Sequence, residues 1–475
     1  MKTRYFFILL AITLIMIKVV NGQVEKNFIN NKTAEREKLS KILFNNESII
    51  SNRVKEKNND NTSDNVKEIK DNNSSGLSKL RLYSKAACVY DAKSNRVLCG
   101  DNENMQLPMA STTKIMTCII ALEYGDLEQE IVFSKYAASM PNVQLNAIKG
   151  EKFKLKDLLH SLMLESHNDT AVAIAENIAA SVELKEYNAI SGGSKGVKQE
   201  GKFIGNNIEE NSIEMSKKLV EKFAQLMNKK AVELGATSTN FVTPNGLDAD
   251  KHYTTAADLC KIAGYAIKNQ EFINITNRKY YSLVSVEGKE YSLNNANSFL
   301  SMYNGAIGCK TGYTSKAGYC FVGAIDKGEH RLVSAVLASG WPPNKSYKWS
   351  DTIKIMDFAC GEYQNKELEI DNETLNIERI NVENGVKEYG KVHIQEQFNL
   401  LLGPEDKIRY KVVMPKGLHA PLYKNEKVAV CRVYINDDKY KEFSVVMKET
   451  VKLKSYERSF NRLFKIFTQF KYLKV

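Results

Sequence analysis

The chain has 475 residues, of which 43% are hydrophobic and 26% charged, values typical of a globular protein with two or three domains. Its formal net charge is +11, but residues 451–475 alone carry seven Lys or Arg and one Glu. Over half of the excess charge therefore lies in one short segment. This distribution argues against a nucleic-acid-binding domain surface and for a short basic segment with a role of its own.

The first 22 residues predict a secretory signal peptide. Lys2 and Arg4 begin it, an apolar stretch follows from Phe6 to Ile17, and Val20-Asn21-Gly22 offers a cleavage site. An uncleaved membrane anchor is the alternative, although the apolar stretch is short for a span. Either interpretation places the rest of the protein outside the cytoplasm.

Residues 23–79 predict a disordered polar tether, because they are rich in Asn, Lys, Asp, Glu and Ser and offer little apolar surface to bury. Two strand-like segments then form a hairpin that turns at residues 92–95 and would set Cys88 opposite Cys99. A disulfide and two buried thiols are the alternatives for this pair. The eight cysteines form no CxxC and the six histidines no HExxH, so we expect no metal site.

Residues 80–365 predict an α+β domain. Helical patterns fill its middle, residues 185–212 lose all periodicity and read as an inserted loop, and three strand-like runs close it near residues 305–340. Asn245-Gly246 predicts a turn, and Thr255, with Asp258 three residues on, predicts the cap of a new helix. Strands at both ends of a helical region favour one antiparallel sheet flanked by helices. Residues 366–450 change to short alternating segments, which predict a smaller all-β domain.

Residues 455–475 predict an amphipathic helix with a basic face opposite an aromatic one. The aromatic face comprises Tyr456, Phe460, Leu463, Phe464, Phe467 and Phe470, and the basic face Arg458, Arg462 and Lys465. This pattern is typical of a helix lying on an anionic membrane surface, with packing against the β-domain as the alternative.

Ser111 and Lys114 lie three residues apart in PMASTTKIMT, residues 108–117. On a helix this spacing places both side chains on one face, so the amine can reach the hydroxyl. A serine nucleophile needs a base at neutral pH, and a lysine serves as one only when burial or a second cation lowers its pKa. A chance surface pair is the alternative for a motif that stands alone.

Two further motifs accompany the first. Ser166-His167-Asn168 lies between two predicted helices, and Lys310-Thr311-Gly312 lies on a predicted strand. Lys310 is the second cation that the base requires, and the glycine lets a substrate backbone approach the strand. S-x-x-K, S-D-N and K-T-G together are the signature of penicillin-binding proteins and class A β-lactamases, and here the middle motif is SHN.

Four segments of the chain together resemble the serine D-alanyl-D-alanine carboxypeptidases, the low-molecular-weight penicillin-binding proteins. They are PMASTTKIMT, SHNDTAVAIAE, FVTPNGLDADKHYTTAADL and GCKTGYTSKAGYCFVGA. The similarity covers about residues 80–365 and implies a β-lactamase/transpeptidase-like fold. It also implies removal of the terminal D-alanine from peptidoglycan pentapeptide stems, acylation by β-lactam antibiotics, no cofactor, and action at the outer face of the cytoplasmic membrane or in the cell wall. A small β-domain and a terminal helix, in the family's order, extend the similarity to the C-terminus.

The resemblance implies a role for each motif residue. Ser111 attacks the carbonyl between the two D-alanines, and Lys114 takes its proton. Ser166 relays a proton to the leaving D-alanine, while Asn168 orients the peptide.

On the strand, the resemblance implies that Lys310 and Thr311 bind the terminal carboxylate beside Gly312. The backbone N–H groups of Ser111 and Tyr313 would form the oxyanion hole, whose donors are typically worth about 3–4 kcal/mol each.

The sequence departs from the family in three places. Residues 185–212 are inserted after the second motif, and His167 occupies a position that is usually small, where we expect it to pack away from the site. Lys345 and Lys348 follow the third strand, where family members often carry an arginine.

Two other functions stay open at this stage. A β-lactamase would share Ser111, Lys114 and Lys310 but would need a positioned carboxylate for deacylation, and it would not need the C-terminal β-domain. A catalytically inactive wall-binding receptor would use the same cleft.

Overall fold

The computed structural model describes residues 76–141, 143–191, 213–415, 417–454, 460 and 463–466. Residues 1–75, most of the predicted insertion and most of the predicted C-terminal helix lie outside the described residues. Two predicted boundaries are corrected: Gly76–Leu80 forms a 3₁₀ turn whose Leu77 is buried, and a helix that runs from Asn168 to Ser191 includes the first seven residues of the predicted loop. Phe460 and residues 463–466 are helical, and Leu463 and Phe464 are exposed. Within the described part of the chain, none of the helices combines the length and apolarity that a membrane crossing requires.

A five-stranded antiparallel sheet forms the centre of the first domain, as the sequence predicted. In order across the sheet, its strands are β2 (Arg96–Asp101), β1 (Ala86–Asp91), β9 (His330–Leu337), β8 (Gly318–Lys327) and β7 (Ala306–Thr314). Two two-stranded antiparallel sheets accompany it, β3 (Glu130–Val132) with β4 (Lys152–Lys154), and β5 (Tyr280–Val284) with β6 (Glu290–Asn294). The K-T-G motif lies on β7, an edge strand, so one side of its backbone is free to pair with a substrate.

Helices cover both faces of the central sheet. They are α1 (Lys114–Tyr124), α2 (Lys135–Ala138), α3 (Leu155–His160), α4 (Asn168–Ser191), α5 (Ile213–Glu233), α6 (Ala256–Ala266), α7 (Gln270–Thr276), α8 (Phe299–Met302) and α9 (Tyr347–Glu362). Helices α1, α4 and α6 belong to the larger apolar core on one face, and α9 packs on the other. Helix α6 begins where the sequence predicted, because the Thr255 side chain accepts a hydrogen bond from the Asp258 backbone N–H.

The first hairpin corrects one sequence expectation. Strands β1 and β2 pair as predicted, but Cys88 lies opposite Gly100, and Cys99 lies opposite Val89. A bulge between Val89 and Tyr90 shifts the register by one residue. Neighbouring residues of a strand point to opposite faces, so Cys88 enters the larger core and Cys99 the core under α9. Both are buried free thiols.

The second domain is all β, as predicted. Strands β10 (Gln364–Asp371) and β13 (Gln395–Leu402) pair with each other, and the order of the five-stranded sheet is β11 (Arg379–Asn381), β12 (Tyr389–His393), β16 (Asp438–Met447), β15 (Lys427–Ile435) and β14 (Ile408–Val413). Alternate residues of these strands fill its own apolar core.

A two-pronged ion pair joins this domain to the central sheet. Arg96 donates to both carboxylate oxygens of Asp406, at 2.9 and 2.8 Å, and both side chains are largely buried. A bidentate pair of this kind fixes orientation as well as distance.

Candidate active site

The first motif lies at a change of helix type. Ser111 belongs to a 3₁₀ turn, Ala110–Thr113, which continues directly into α1 at Lys114. Lys114 is fully buried, and its Nζ lies 3.0 Å from Ser111 Oγ. The structure therefore brings the two residues together on one face, as the sequence spacing predicted.

Two more oxygen atoms surround the amine of Lys114. Its Nζ lies 2.8 Å from Asn168 Oδ1 and 2.6 Å from the backbone oxygen of Asn245. Asn168 donates its amide N–H to the Pro141 carbonyl at 3.1 Å, which directs the amide oxygen towards Lys114. Both of these oxygens are pure acceptors, so a neutral amine donates its two hydrogens to them and turns its lone pair to the Ser111 hydroxyl.

The charge state of Lys114 fits this arrangement. Burial, followed by the nearby positive charge of Lys310, lowers the pKa of Lys114 well below its usual value, while Asp169 opposes the shift. Lys310 is itself buried, at 1% exposure, which lowers its own pKa to about 7. Burial and the charge of Lys310 therefore both favour the neutral form of Lys114.

The second motif follows a single turn of π-helix, Ser161–Glu165. Ser166 ends this turn in a left-handed conformation, with φ of 72°, which is costly for a residue with a side chain. Its hydroxyl is buried and has no hydrogen-bond partner among the described residues. An unsatisfied buried hydroxyl beside Asn168 is therefore available to a bound substrate.

The two ring nitrogens of His167 contact residues of the π-turn rather than Lys114 or Ser111. Its Nδ1 lies 2.8 Å from Ser161 Oγ, and its Nε2 lies 3.2 Å from Glu165 Oε2. Burial, followed by the charges of Lys114 and Lys310, lowers the pKa of His167 to about 4. The neutral ring therefore spans the π-turn and supports the backbone on which Ser166 and Asn168 lie.

Strand β7 forms the opposite wall. A Cβ atom built on Gly312 would lie 3.0 Å from the Ser111 backbone nitrogen, so only a glycine lets β7 approach the turn this closely. Lys310 Nζ donates to the Thr311 carbonyl at 3.1 Å. Thr311 is half-buried and the Tyr313 ring is 42% exposed. The two lysines and the Ser111 backbone thus converge on one short stretch of strand.

The sequence missed the part played by residues 243–252. The Asn245-Gly246 turn was expected from its residue types, but its carbonyl contact with Lys114 was not. Gly246 has φ of +83°, and a Cβ atom there would lie 2.1 Å from the Ala110 carbonyl oxygen. His252 Nε2 lies 2.9 Å from Thr113 Oγ1, which ties the same segment to the Ser111 turn. The proline-asparagine-glycine sequence was the signal available, since it predicts a tight turn but not its neighbour.

Lys345 and Lys348 differ from each other. Lys345 is exposed, whereas Lys348 is buried and donates to the Lys345 carbonyl at 3.1 Å. Burial, together with the charge of Lys345, lowers the pKa of Lys348 to about 8. Its ammonium lies 4.6 Å from the centre of the Tyr319 ring, so it packs against a side chain of β8.

Comparison with known proteins identifies the chain. A family model described as D-alanyl-D-alanine carboxypeptidase matches residues 72–184 and 217–340, and one for the C-terminal domain of penicillin-binding protein 5 matches residues 363–453. The D-alanyl-D-alanine carboxypeptidase DacB2 of Mycobacterium tuberculosis is 32% identical over 57% of this chain and 80% of its own. The chain belongs to the D-alanyl-D-alanine carboxypeptidase family.

Other relatives extend this membership over both domains. The carboxypeptidase DacF of Bacillus subtilis is 27% identical over 83% of this chain and 92% of its own length. The crystal structure of penicillin-binding protein 5 from Haemophilus influenzae, 21% identical, covers 78% of this chain and 98% of its own with a TM-score of 0.55. That structure confirms the fold. The family match confirms a serine carboxypeptidase among the three functions that the sequence left open.

Proposed function

We propose that Ser111 is the nucleophile of this carboxypeptidase and that neutral Lys114 is its base. The observation that carries the proposal is the set of three contacts around Lys114 Nζ, at 3.0, 2.8 and 2.6 Å. The contacts with Asn168 and Asn245 use the amine hydrogens, and the contact with Ser111 leaves the lone pair facing the hydroxyl. Proton transfer to a positioned base contributes typically about 10²–10⁴ in rate.

The remaining motif residues act on the substrate. Lys310 and Thr311 hold the terminal carboxylate of the stem, and the backbone N–H groups of Ser111 and Tyr313 stabilise the developing oxyanion. The close approach of Gly312 to the Ser111 nitrogen supports this hole, because it sets the two N–H groups on adjacent backbones. The substrate carbonyl carbon bonds to Ser111 Oγ, the peptide C–N bond breaks, and the departing nitrogen takes up a proton.

Ser166 and Asn168 serve this departure. The buried and unbonded hydroxyl of Ser166 supports a role as proton relay from Lys114 to the leaving D-alanine. The amide oxygen of Asn168 accepts a hydrogen bond from Lys114, so a stem held by Asn168 is also oriented relative to the base. Water then hydrolyses the acyl-enzyme and regenerates Ser111.

The decisive experiment measures release of D-alanine from a pentapeptide ending in D-Ala-D-Ala, together with covalent labelling by a fluorescent penicillin. Ser111→Ala should abolish both. Ser334→Ala is the matched control, since Ser334 is a buried serine on β9 whose hydroxyl has no partner among the described residues. A penicillin adduct on Ser111→Ala would show that another group is the nucleophile.

The surrounding segments fit an exported enzyme held near its wall substrate. We assign residues 1–22 to a cleaved signal peptide, 23–75 to a tether, 76–365 to the catalytic domain with its insertion at 192–212, and 366–450 to the β-domain. Residues 455–475 form a membrane-surface anchor, and the exposed Leu463 and Phe464 support this assignment. The site would then work on peptidoglycan pentapeptides at the outer face of the membrane.

Vesicle binding tests the anchor. Protein that ends at Lys454 should stay active and remain in the supernatant, whereas the chain through Val475 should sediment with vesicles in proportion to their phosphatidylglycerol content. Replacing Arg458, Arg462 and Lys465 by Gln is the matched control for charge. Sedimentation of the shortened protein would place the anchor elsewhere.

A further inference from the structure

A buried carboxylate directly follows the second motif. Asp169 lies in the first turn of α4, next to Asn168, and is 1% exposed. The mechanism proposed above gives this side chain no role. A buried charge is costly unless hydrogen-bond donors compensate it, so the groups around Asp169 indicate what the carboxylate does.

Backbone N–H groups donate to both oxygens of this carboxylate. Its Oδ1 accepts from Leu145 at 3.0 Å and from Thr170 at 2.8 Å, and its Oδ2 accepts from Asn146 at 3.0 Å. Asn146 has a left-handed backbone, with φ of 63°, and a residue in this conformation turns successive N–H groups towards one anion. Asp169 therefore fastens the segment around Asn146 to the start of α4.

The chain just before this segment holds Asn168. The side-chain N–H of Asn168 donates to the Pro141 carbonyl at 3.1 Å, and its backbone N–H donates to the Val143 carbonyl at 2.7 Å. The amide oxygen of Asn168 in turn lies 2.8 Å from Lys114 Nζ. The carboxylate, the fastened segment and Asn168 thus form one connected network that ends at the proposed base.

The charge of Asp169 also acts on Lys114. Among the described residues, the titratable groups that interact with this amine are Lys310 on β7, His167 and Asp169. Burial, followed by the charge of Lys310, lowers the pKa of Lys114, whereas Asp169 opposes the shift. Burial raises the pKa of Asp169 itself, and its backbone N–H donors oppose that rise. Asp169 is therefore the carboxylate that favours the protonated amine.

We propose that Asp169 is a positioning residue of the reaction: its carboxylate fixes the chain segment that orients Asn168, and its negative charge acts on Lys114. This inference rests on the proposed function, in which Lys114 is the base. An asparagine at position 169 cannot replace the carboxylate, because it has one acceptor oxygen and one NH₂ group, and the NH₂ group would face a backbone N–H.

The test measures how labelling by a fluorescent penicillin depends on pH, from about pH 4.5 to 9. In Asp169→Asn, the plateau rate should fall about tenfold to 100-fold, because the segment that holds Asn168 is displaced. The fall of the rate at low pH, its acid limb, should also move to lower pH by about one unit, since Lys114 loses the charge that favours its protonated form. A merely structural role would lower the plateau without moving the acid limb.

Two further variants separate position from charge. Asn146→Pro removes the N–H donor to Asp169 Oδ2 at an exposed residue and keeps the charge, so the plateau should fall while the acid limb stays in place. Glu151→Gln is the matched control. It alters another buried carboxylate of the same region, which accepts from the Ile148 N–H at 3.0 Å and from the Tyr291 hydroxyl at 2.7 Å, and it should leave the acid limb unmoved.

An acid limb that stays in place in Asp169→Asn would overturn the inference, and so would an equal shift in Glu151→Gln. Thermal unfolding shows whether each variant folds. If Asp169→Asn does not, Asn146→Pro decides, because an unchanged plateau there would overturn the inference and a lowered plateau with a fixed limb would support it. Absence of D-alanine release by the unaltered protein would instead contradict the proposed function.

Discussion

Gly246 offers a sharp test of the site geometry, because it separates backbone strain from a local clash. At φ of +83° any side chain pays about 1–2 kcal/mol. A Cβ atom would also lie 2.1 Å from the Ala110 carbonyl oxygen, where ordinary contact begins near 3.4 Å. Gly246→Ala must therefore separate the two backbones by roughly 1.3 Å. Since the preceding carbonyl, that of Asn245, contacts Lys114 Nζ, we expect the proposed base to move with it.

We expect Gly246→Ala to lower the rate of penicillin acylation by about 100-fold, the loss typical of a displacement near 1 Å in a positioned group. The assay is stopped-flow or gel-based labelling with a fluorescent penicillin, alongside thermal unfolding. Gly150→Ala is the matched control. Gly150 has φ of +85°, and a Cβ atom added there would meet nothing within 4 Å. This variant therefore introduces the same backbone strain without a clash. If both variants acylate at the same rate, the Asn245 carbonyl does not position the base.

Three further predictions concern titratable groups of the site. Lys114→Ala should fold cooperatively but lose about 10²–10⁴ in acylation rate at pH 7, and normal labelling would exclude it as the base. Because burial lowers the pKa of Lys310 to about 7, the cation that we propose to bind the substrate carboxylate is present below that pH and lost above it. The kcat/KM for D-alanine release should therefore fall above about pH 7, and Lys310→Arg should move the fall upwards; a profile that is flat to pH 9 would contradict this. His167, with its pKa lowered to about 4, stays neutral in the folded chain while the unfolded chain takes up a proton below about pH 6.5. Stability should therefore fall from pH 6.5 towards 4, and His167→Gln should flatten this slope in melting experiments.

Local signals in the sequence predicted much of the molecule. The helical spacing of Ser111 and Lys114, the cap at Thr255 and the turn between β1 and β2 each depend on a few adjacent residues, and the structure places all of them as expected. The antiparallel sheet also followed from the order of strands and helices. These features are set by spacing and by residue type, which a single sequence carries directly.

Features that depend on backbone atoms or on register were not predictable. The contact of Lys114 with Asn245 uses a carbonyl oxygen, which every residue has, so no residue type marks it. The partner of Cys88 was missed by one position, because the bulge at Leu98 of β2 has no signature in RVLCGD. Ser166 adopts a left-handed backbone where the π-turn ends, and serine has no preference for that conformation.

The burial of the thiols has a practical consequence for producing and handling the enzyme. All eight cysteines of the sequence are free, and seven of them are buried, among them Cys88 and Cys99 on opposite faces of the sheet. Folding therefore requires no oxidant and no isomerase to sort disulfide partners. The catalytic and β-domains can be expressed in a reducing bacterial cytosol and purified in dithiothreitol without loss of a covalent cross-link. Maleimide labels introduced at chosen surface positions will report on those positions with little background from the native thiols.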